Sequence, residues 1–221
     1  MKKIIIFGIS DAGELAHFYF KNDSEFEISA FVVDRSYLPS SGEFLGLPVI
    51  ERDSILEKYP PNLYGLFVAM GYSNLNQARK DKYLELKSMG YSCVSYVSSK
   101  ATVLNAGAIG ENCFILEDNT IQPFVKIGNN VTLWSGNHIG HHTKIDDHCF
   151  LASHIVVSGR VHIHESCFIG VNSTIRDHVS IGDRCVLGAG TILLGDAEPG
   201  GVYIGSATER SKVPSNRLRK I

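Results

Sequence analysis

Seven of the chain's nine histidines fall between His138 and His164, three of them in the run Trp134-Ser135-Gly136-Asn137-His138-Ile139-Gly140-His141-His142. Imidazole is the side chain whose unperturbed pKa lies closest to neutral pH, so such a cluster offers acid–base catalysis or a set of metal ligands. A second group with chemical use sits near the N-terminus. There the turn Gly8-Ile9-Ser10-Asp11-Ala12-Gly13 follows an aliphatic run, and Asp34 follows another. A turn of this kind presents backbone N–H groups and a helix N-terminus to a pyrophosphate, while Asp34 can accept hydrogen bonds from a ribose or a base.

The element that must position the histidines is an array. From Val97 to Leu193 an aliphatic residue returns at every sixth position, through Val103, Ile109, Ile115 and onward without a gap. A period of six suits neither an amphipathic helix nor a lone strand; hexapeptide repeats mark a parallel β-helix. The residue four places after each aliphatic is small, β-branched or Asn, as at Cys113, Asn119, Val125, Asn137, Thr143 and Ile155. These two inward positions per hexad fill a narrow core. Three hexads per coil would bring residues 18 apart into vertical register, roughly 4.8 Å from one another. Gly110, Gly128, Gly140, Gly170, Gly182 and Gly188 follow aliphatic positions, where they are expected to relieve the backbone at the corners.

Neither His141 nor His142 falls in an inward slot, so both should project from the coil surface toward a ligand or a neighbouring subunit. Zinc is the competing use. His142 and His178 share one column but lie two coils, roughly 10 Å, apart, too far for ligands held about 2 Å from one ion. No metal is expected. Cys113, Cys149, Cys167 and Cys185 occupy one inward column and read as free core thiols.

Before the array, Lys2 to Gly8 reads as a buried parallel strand. A helix capped by Ser10 or Asp11 runs to Asn22, with Leu15, Phe18 and Phe20 as apolar contacts, and Phe26 to Val33 gives a second strand. This is a βαβ unit of nucleotide-binding type. Its turn supplies only Gly8 and Gly13, so the dinucleotide fingerprint is incomplete and NAD is not expected. Gly65 to Ala69 is a further strand, ending at Gly71-Tyr72-Ser73-Asn74 at the sheet edge where ligands of open α/β folds gather. A helix from Asn76 to Met89 follows. The fold class is therefore α/β plus all-β: residues 1–94 a Rossmann-like βαβ domain, 95–206 a β-helix, and 207–221 a basic tail containing Arg210, Lys212, Arg217, Arg219 and Lys220. A net charge of -2 gives no reason to expect nucleic acid or a membrane as partner. With no leader or apolar span legible, a cytoplasmic protein is expected.

The continuous hexads, the small nucleotide-binding-like domain before them, Gly90-Tyr91 ahead of the array, and the run from Ser135 to Ile145 resemble the sialic-acid and bacillosamine branch of sugar O-/N-acyltransferases. These are left-handed β-helix homotrimers that use acetyl-CoA to acylate sugars, in several members nucleotide-linked ones. The resemblance implies an N-acetyltransferase acting on an amino group, at C4, of a nucleotide-linked amino-deoxy sugar. O-acetylation of a sugar is one alternative; a non-catalytic nucleotide-sugar-binding or scaffold protein is another.

Carried over, the resemblance makes His141 the general base, with Gly159 N–H as donor to the oxyanion and close neighbour of the thioester. It assigns Gly8, Ile9, Ser10, Asp34, Arg35 and Gly71 to the sugar nucleotide. Arg35 suits phosphate because a guanidinium pairs with its oxygens in bidentate fashion. His154, Gly159, Arg210 and Lys212 fall to acetyl-CoA. The chain departs from the family pattern in three places. His142 stands where a Glu often flanks the base, leaving Asp146, Asp147 or a neighbouring subunit to orient it. Phe150 replaces a second histidine that contacts the acyl donor, a role His154 is positioned to take. Gly205-Ser206-Ala207 replaces Gly-x-Pro-Ala.

Overall fold

Ile4, Ile5, Ile6 and Phe7 are all buried, as a central parallel strand covered on both faces requires. The computed structural model describes residues 2–104, 108–212 and 215–217. In it, β1 (Lys2–Phe7) leads into α1 (Asp11–Asn22) and β2 (Phe26–Val33). A short antiparallel pair, β3 (Glu43–Phe44) and β4 (Leu47–Glu51), follows, then α2 (Ile55–Lys58), β5 (Gly65–Val68) and α3 (Gln77–Ser88). The strand order is β3-β4-β2-β1-β5. The chain therefore changes direction across the sheet between β1 and β5, and a crevice opens at their C-terminal ends. Gly8 is required there: its φ is +112°, and a Cβ would lie 2.4 Å from the Ala69 carbonyl oxygen. Of the aromatic contacts expected on α1, Phe20 is buried but Phe18 is exposed.

From Tyr96 onward the chain winds as a left-handed β-helix with three faces. Face 1 stacks seven strands, from Tyr96–Val97 to Val202–Tyr203; face 2 stacks six, including His138–Ile139 and Val156–Val157. Face 3 stacks four: Lys126–Ile127, Lys144–Ile145, His162–Ile163 and Ser180–Ile181. Strand partners are 18 residues apart, as Lys126 is from Lys144 and Ile127 from Ile145. Ile139, Ile145, Leu151, Val157 and Ile163 are fully buried, as are Thr143, Cys149, Ile155 and Ser173 four places after their own aliphatics. All five cysteines are free and buried.

The corners correct one expectation. The residue with positive φ is not the glycine after the aliphatic but the residue two places further on: Asn130, His142, His148, His154, Arg160 and His178, among others. Asn, Asp and His tolerate this left-handed conformation better than most residues. The glycines serve close approach instead. At Gly140 a Cβ would come within 2.5 Å of the Ser158 carbonyl carbon and 2.7 Å of the Gly159 nitrogen in the next coil.

The α/β sheet packs on face 1. Tyr96, Phe114 and Leu116 join the core cluster of Ile4, Phe20, Phe31 and Phe67, and Tyr72 meets the Phe150 and Phe168 rings, each 4.9 Å away. A polar column fixes the register. Asn112 exchanges hydrogen bonds with the Val68 backbone (2.7 and 3.3 Å) and donates to Asn130 Oδ1 (2.8 Å), whose amide donates in turn to His148 Nδ1, 3.0 Å away. Burial, then the nearby Lys80, pulls the His148 pKa down to about 4, which keeps the ring neutral as an acceptor.

Asp23, just past α1, ties the two parts together. Its carboxylate accepts from Ser99 N–H (2.9 Å), Tyr96 OH (2.6 Å) and Ser98 Oγ (3.2 Å). Hydrogen bonding, from Ser99 foremost and then Tyr96, holds its pKa near 2, below the ordinary 3.8. A depressed carboxylate stabilises the fold above its unfolded pKa, and the contribution is lost as pH falls toward the folded value. The gap in urea midpoint between the native protein and Asp23→Ala is thus expected to be constant near neutrality and to shrink below about pH 4. A gap that is still undiminished at pH 2 would remove Asp23 from this role.

Candidate functional site

At the corner joining face 2 to face 3, strand His138–Ile139 ends, Gly140 lets the next coil approach, and His142 takes the left-handed turn with φ 59°. Thr143 then turns inward and is fully buried, its Oγ1 donating to the Ser158 carbonyl at 3.1 Å. This leaves His141 and His142 exposed. The His141 backbone is held from both sides: its N–H donates to Gln122 Oε1 (2.8 Å) and its carbonyl accepts from Arg160 N–H (2.9 Å).

The His141 ring lies over Gly159, where a Cβ would come within 2.6 Å of Cε1 and 2.8 Å of Nε2. Only glycine leaves room for the imidazole. Equivalent corner N–H groups are capped by a side chain one coil on: Glu111 by Asn129 (3.0 Å), Asn129 by Asp147 (2.7 Å), Glu165 by Asp183 (2.9 Å). The counterpart at Gly159 is Asp177, and it turns its carboxylate to His178 Nδ1 instead, 2.9 Å away.

His141 Nδ1 stands 3.1 Å from His142 Nδ1. Two ring nitrogens at that distance share one proton, so one ring donates and the other accepts. The pKa of His142 is lowered by desolvation first, then by Arg160 and His141, which favours its neutral form. Phe124 packs on this ring at 4.6 Å. The carboxylates considered for orienting His141 are engaged elsewhere: Asp146 with Lys144, His162 and His164, and Asp147 with Asn129. The orienting partner within the chain is His142.

Other site residues fall away from this corner. His154 is at the corner between faces 1 and 2, where its ring lies over Gly136, whose Cβ would sit 2.5 Å from Nδ1. Phe150 faces the α/β sheet from face 1, stacked on Phe168 at 5.7 Å. Arg210 and Lys212 are exposed beyond the last strand; Arg219 and Lys220 lie outside the described residues.

The six residues assigned to a nucleotide all line clefts at the C-terminal edge of the sheet. Gly8, Ile9, Ser10 and Asp34 line one of about 230 Å³, together with Tyr37 and Met70. Asp34 and Arg35 line a charged groove with Glu51 and Arg52. Asp34 is partly committed, to Lys82 (2.9 Å) and Arg52 (3.6 Å), and the exposed Arg35 stands 3.8 Å from Glu51. Ser10 and Gly71 line a larger cleft, about 480 Å³, between the sheet and face 1, walled by Tyr72, Trp134, Phe150 and Arg79.

Arg79 is a residue that the helical periodicity of α3 gave no reason to single out. The residue is only 2% exposed, and its guanidinium donates to Thr132 Oγ1 and to the Cys149 carbonyl (3.2 Å). No carboxylate pairs with it among the described residues, and Nε has no partner. Burial lowers its pKa to about 10, which leaves it charged at neutral pH.

Residues 108–141, 124–159 and 160–195, the coils that carry the histidines, match the family model described as Bacterial transferase hexapeptide (six repeats). No curated protein matches the chain in sequence. Among solved structures, a histidine-to-asparagine variant of perosamine N-acetyltransferase from Caulobacter crescentus, in complex with CoA and GDP-perosamine, gives a TM-score of 0.78 at 21% identity, over 92% of this chain and 93% of that one. WeeI from Acinetobacter baumannii AYE gives 0.72 at 21% identity, over 92% and 97%. The acetyltransferase domain of PglB from Neisseria gonorrhoeae FA1090, in complex with acetyl coenzyme A, gives 0.61 at 21% identity, over 92% and 96%. The fold of this chain is the fold of these proteins. Among the described residues no helix is long and apolar enough to cross a membrane.

A buried cation without a counter-ion is costly, and its replacement by an apolar residue of similar length is often neutral or stabilising. Arg79→Met is therefore expected to keep or raise the melting temperature of the ligand-free protein and to abolish any further rise on adding nucleoside diphosphates. A variant that melts lower yet keeps the nucleotide response would make Arg79 a tie between the two domains and nothing more.

Proposed function

We propose that the chain is a cytoplasmic, homotrimeric N-acetyltransferase that moves the acetyl group of acetyl-CoA to an amino group, at C4, of a nucleotide-linked amino-deoxy sugar. The observation that carries the reading is the corner geometry: His141 over Gly159, its Nδ1 held by His142 and its Nε2 turned to the glycine. The relatives of like fold, holding CoA or acetyl coenzyme A and in one case GDP-perosamine, support the choice of substrates.

In the productive tautomer His141 Nδ1–H donates to His142 Nδ1, which leaves the Nε2 lone pair free on the Gly159 side. The sugar nitrogen bonds to the thioester carbon, and Nε2 takes the proton that this nitrogen sheds. Gly159 N–H donates to the oxygen that becomes negative. As the carbonyl re-forms, the C–S bond breaks and the thiolate leaves, taking the proton from His141. Gly8, Ile9, Ser10, Asp34, Arg35 and Gly71 hold the nucleotide and its phosphates. His154, Arg210 and Lys212 remain candidates for CoA, which needs cationic partners for its phosphates.

A triangular prism supports the trimer. The corner between faces 2 and 3 is opposite face 1, where the α/β sheet and its clefts lie. The nucleotide cleft of one chain is thus turned away from its own base, and a neighbouring copy brings the two together. Phe124 at that corner and Val156 and Ile192 on face 2 are exposed apolar side chains that such a neighbour would cover.

With acetyl-CoA and nucleotide-linked amino sugars, His141→Asn is expected to lower kcat by ~10²–10⁴. An unchanged rate would dismiss the base assignment. His142→Glu gives the ring an anionic partner, so it should stay active with the acid limb of kcat/KM moved to higher pH; His142→Ala should lower kcat with little change in KM. Co-expression tests the shared site. Ser10→Trp, which fills the cleft, and His141→Asn should each be inactive alone and regain a measurable fraction of activity in mixed oligomers. No recovery would mean that cleft and base serve each other within one chain.

A further inference from the structure

Face 3 carries a second group of titratable side chains, on a different surface from His141. Asp146 follows strand Lys144–Ile145; His162 begins the strand one coil on, and His164 follows that strand. The ladder sets Asp146 beside both rings: Oδ2 is 2.8 Å from His162 Nε2 and 3.6 Å from His164 Nδ1. One ligand atom from each residue lies within 4.8 Å of the other two. All three are half-buried, hence reachable. The reaction proposed above uses none of them.

We infer that Asp146, His162 and His164 form a site for one divalent transition-metal ion per chain. The donor set is two imidazoles and one carboxylate, the facial arrangement that leaves coordination positions open. Ligands held about 2.1 Å from a tetrahedral or octahedral ion stand roughly 3.0–3.4 Å apart, and the two distances to Asp146 bracket that range. His162 and His164 are stacked with centroids 3.7 Å apart and planes 29° apart, so the two rings stand side by side against Asp146.

The surroundings fit a metal better than an ion pair alone. His164 Nε2 is 3.2 Å from Ser180 Oγ, a hydroxyl that can accept from it and so suits the tautomer with Nδ1 free to ligate. Lys144 holds the other carboxylate oxygen, Oδ1, at 2.8 Å, which leaves Oδ2 for the ion. Beside His164 opens a cleft of about 280 Å³ lined by Asp183, Asp196 and Glu198. Those three carboxylates draw a cation toward the imidazoles. Zn²⁺, Co²⁺ or Ni²⁺ suits this borderline donor set, whereas Mg²⁺ and Ca²⁺ prefer oxygen ligands throughout. Bound there, an ion joins two successive coils of the shortest face, and a third through Ser180.

The full-length protein, stripped with chelator, is titrated with Zn²⁺ by calorimetry and with Co²⁺ by visible absorption. One ion per chain is expected, with d–d bands of the intensity typical of a four- or five-coordinate site. His162→Ala/His164→Ala should weaken binding at least 100-fold, Asp146→Asn by about tenfold, and His178→Ala, a change at another exposed histidine, not at all. Zn²⁺ should raise the melting temperature of the native protein and leave the double variant unmoved. Circular dichroism checks that the variants fold. The inference is overturned by no binding, by binding the double variant retains, or by loss of the Co²⁺ bands in His141→Asn, which would assign the ion to the corner between faces 2 and 3.

Discussion

Everything in the β-helix depends on one repeated hydrogen bond, in which a strand N–H reaches the carbonyl of the next coil. Phe114 donates to Val131 and Thr132 to Cys149, at 2.9 and 3.0 Å. With coils locked this way, any side-chain choice is copied up a column of residues 18 apart. Each inward aliphatic then contributes roughly 1.5–3 kcal/mol by burial, and each coil is stabilised chiefly by the coils above and below it. Outward positions carry none of that load. They are the places where a sequence can change its chemistry while the scaffold stays as it is, and both histidine clusters stand there.

The α/β sheet is fixed to this scaffold by contacts with little tolerance for error. Tyr72 sits against Phe150 and Phe168, Asn112 pairs with the Val68 backbone, and Asp23 grips the first coil. Because these contacts are spread along face 1, the cleft between sheet and coils is bounded on both sides by packed elements. Arg79 is the exception to the general thrift of this interface. An uncompensated charge stands where a hydrophobe would pack, on the wall of a cleft lined by aromatic rings.

Much of this architecture was legible in the residues. The six-residue period fixed the inward slots and the 18-residue register, and the runs Ile4–Phe7 and Phe31–Val33 marked the buried strands. What escaped had physical causes. Glycine after each aliphatic suggests that it makes the corner, yet the left-handed position falls on His142, His148, His154 and His178, so half of the array's histidines have a backbone reason for being where they are. His148 is consumed by the Asn112–Asn130 column. Arg79 was hidden because helical periodicity treats any cation as facing solvent. Asp146, His162 and His164 are 16, 18 and 2 residues apart, spacings that mean nothing until the coil length is applied in three dimensions.

For the base proposed above, the neighbouring side chain bears on which nucleophile the corner would serve. A carboxylate beside an imidazole strengthens it as a base, whereas a neutral ring only aims it. A hydroxyl is a poor nucleophile while it keeps its proton and gains most from a strengthened base. An amine attacks through its own lone pair, and its proton becomes acidic only as the C–N bond forms, so an aimed imidazole of ordinary strength suffices. His142, whose neutral form is favoured by desolvation, Arg160 and His141, is a partner that supplies aim and no fixed negative charge. In the proposed reaction that arrangement suits transfer to nitrogen better than transfer to oxygen. It ties the substrate's chemistry to one substitution at a left-handed corner, where histidine also satisfies the backbone.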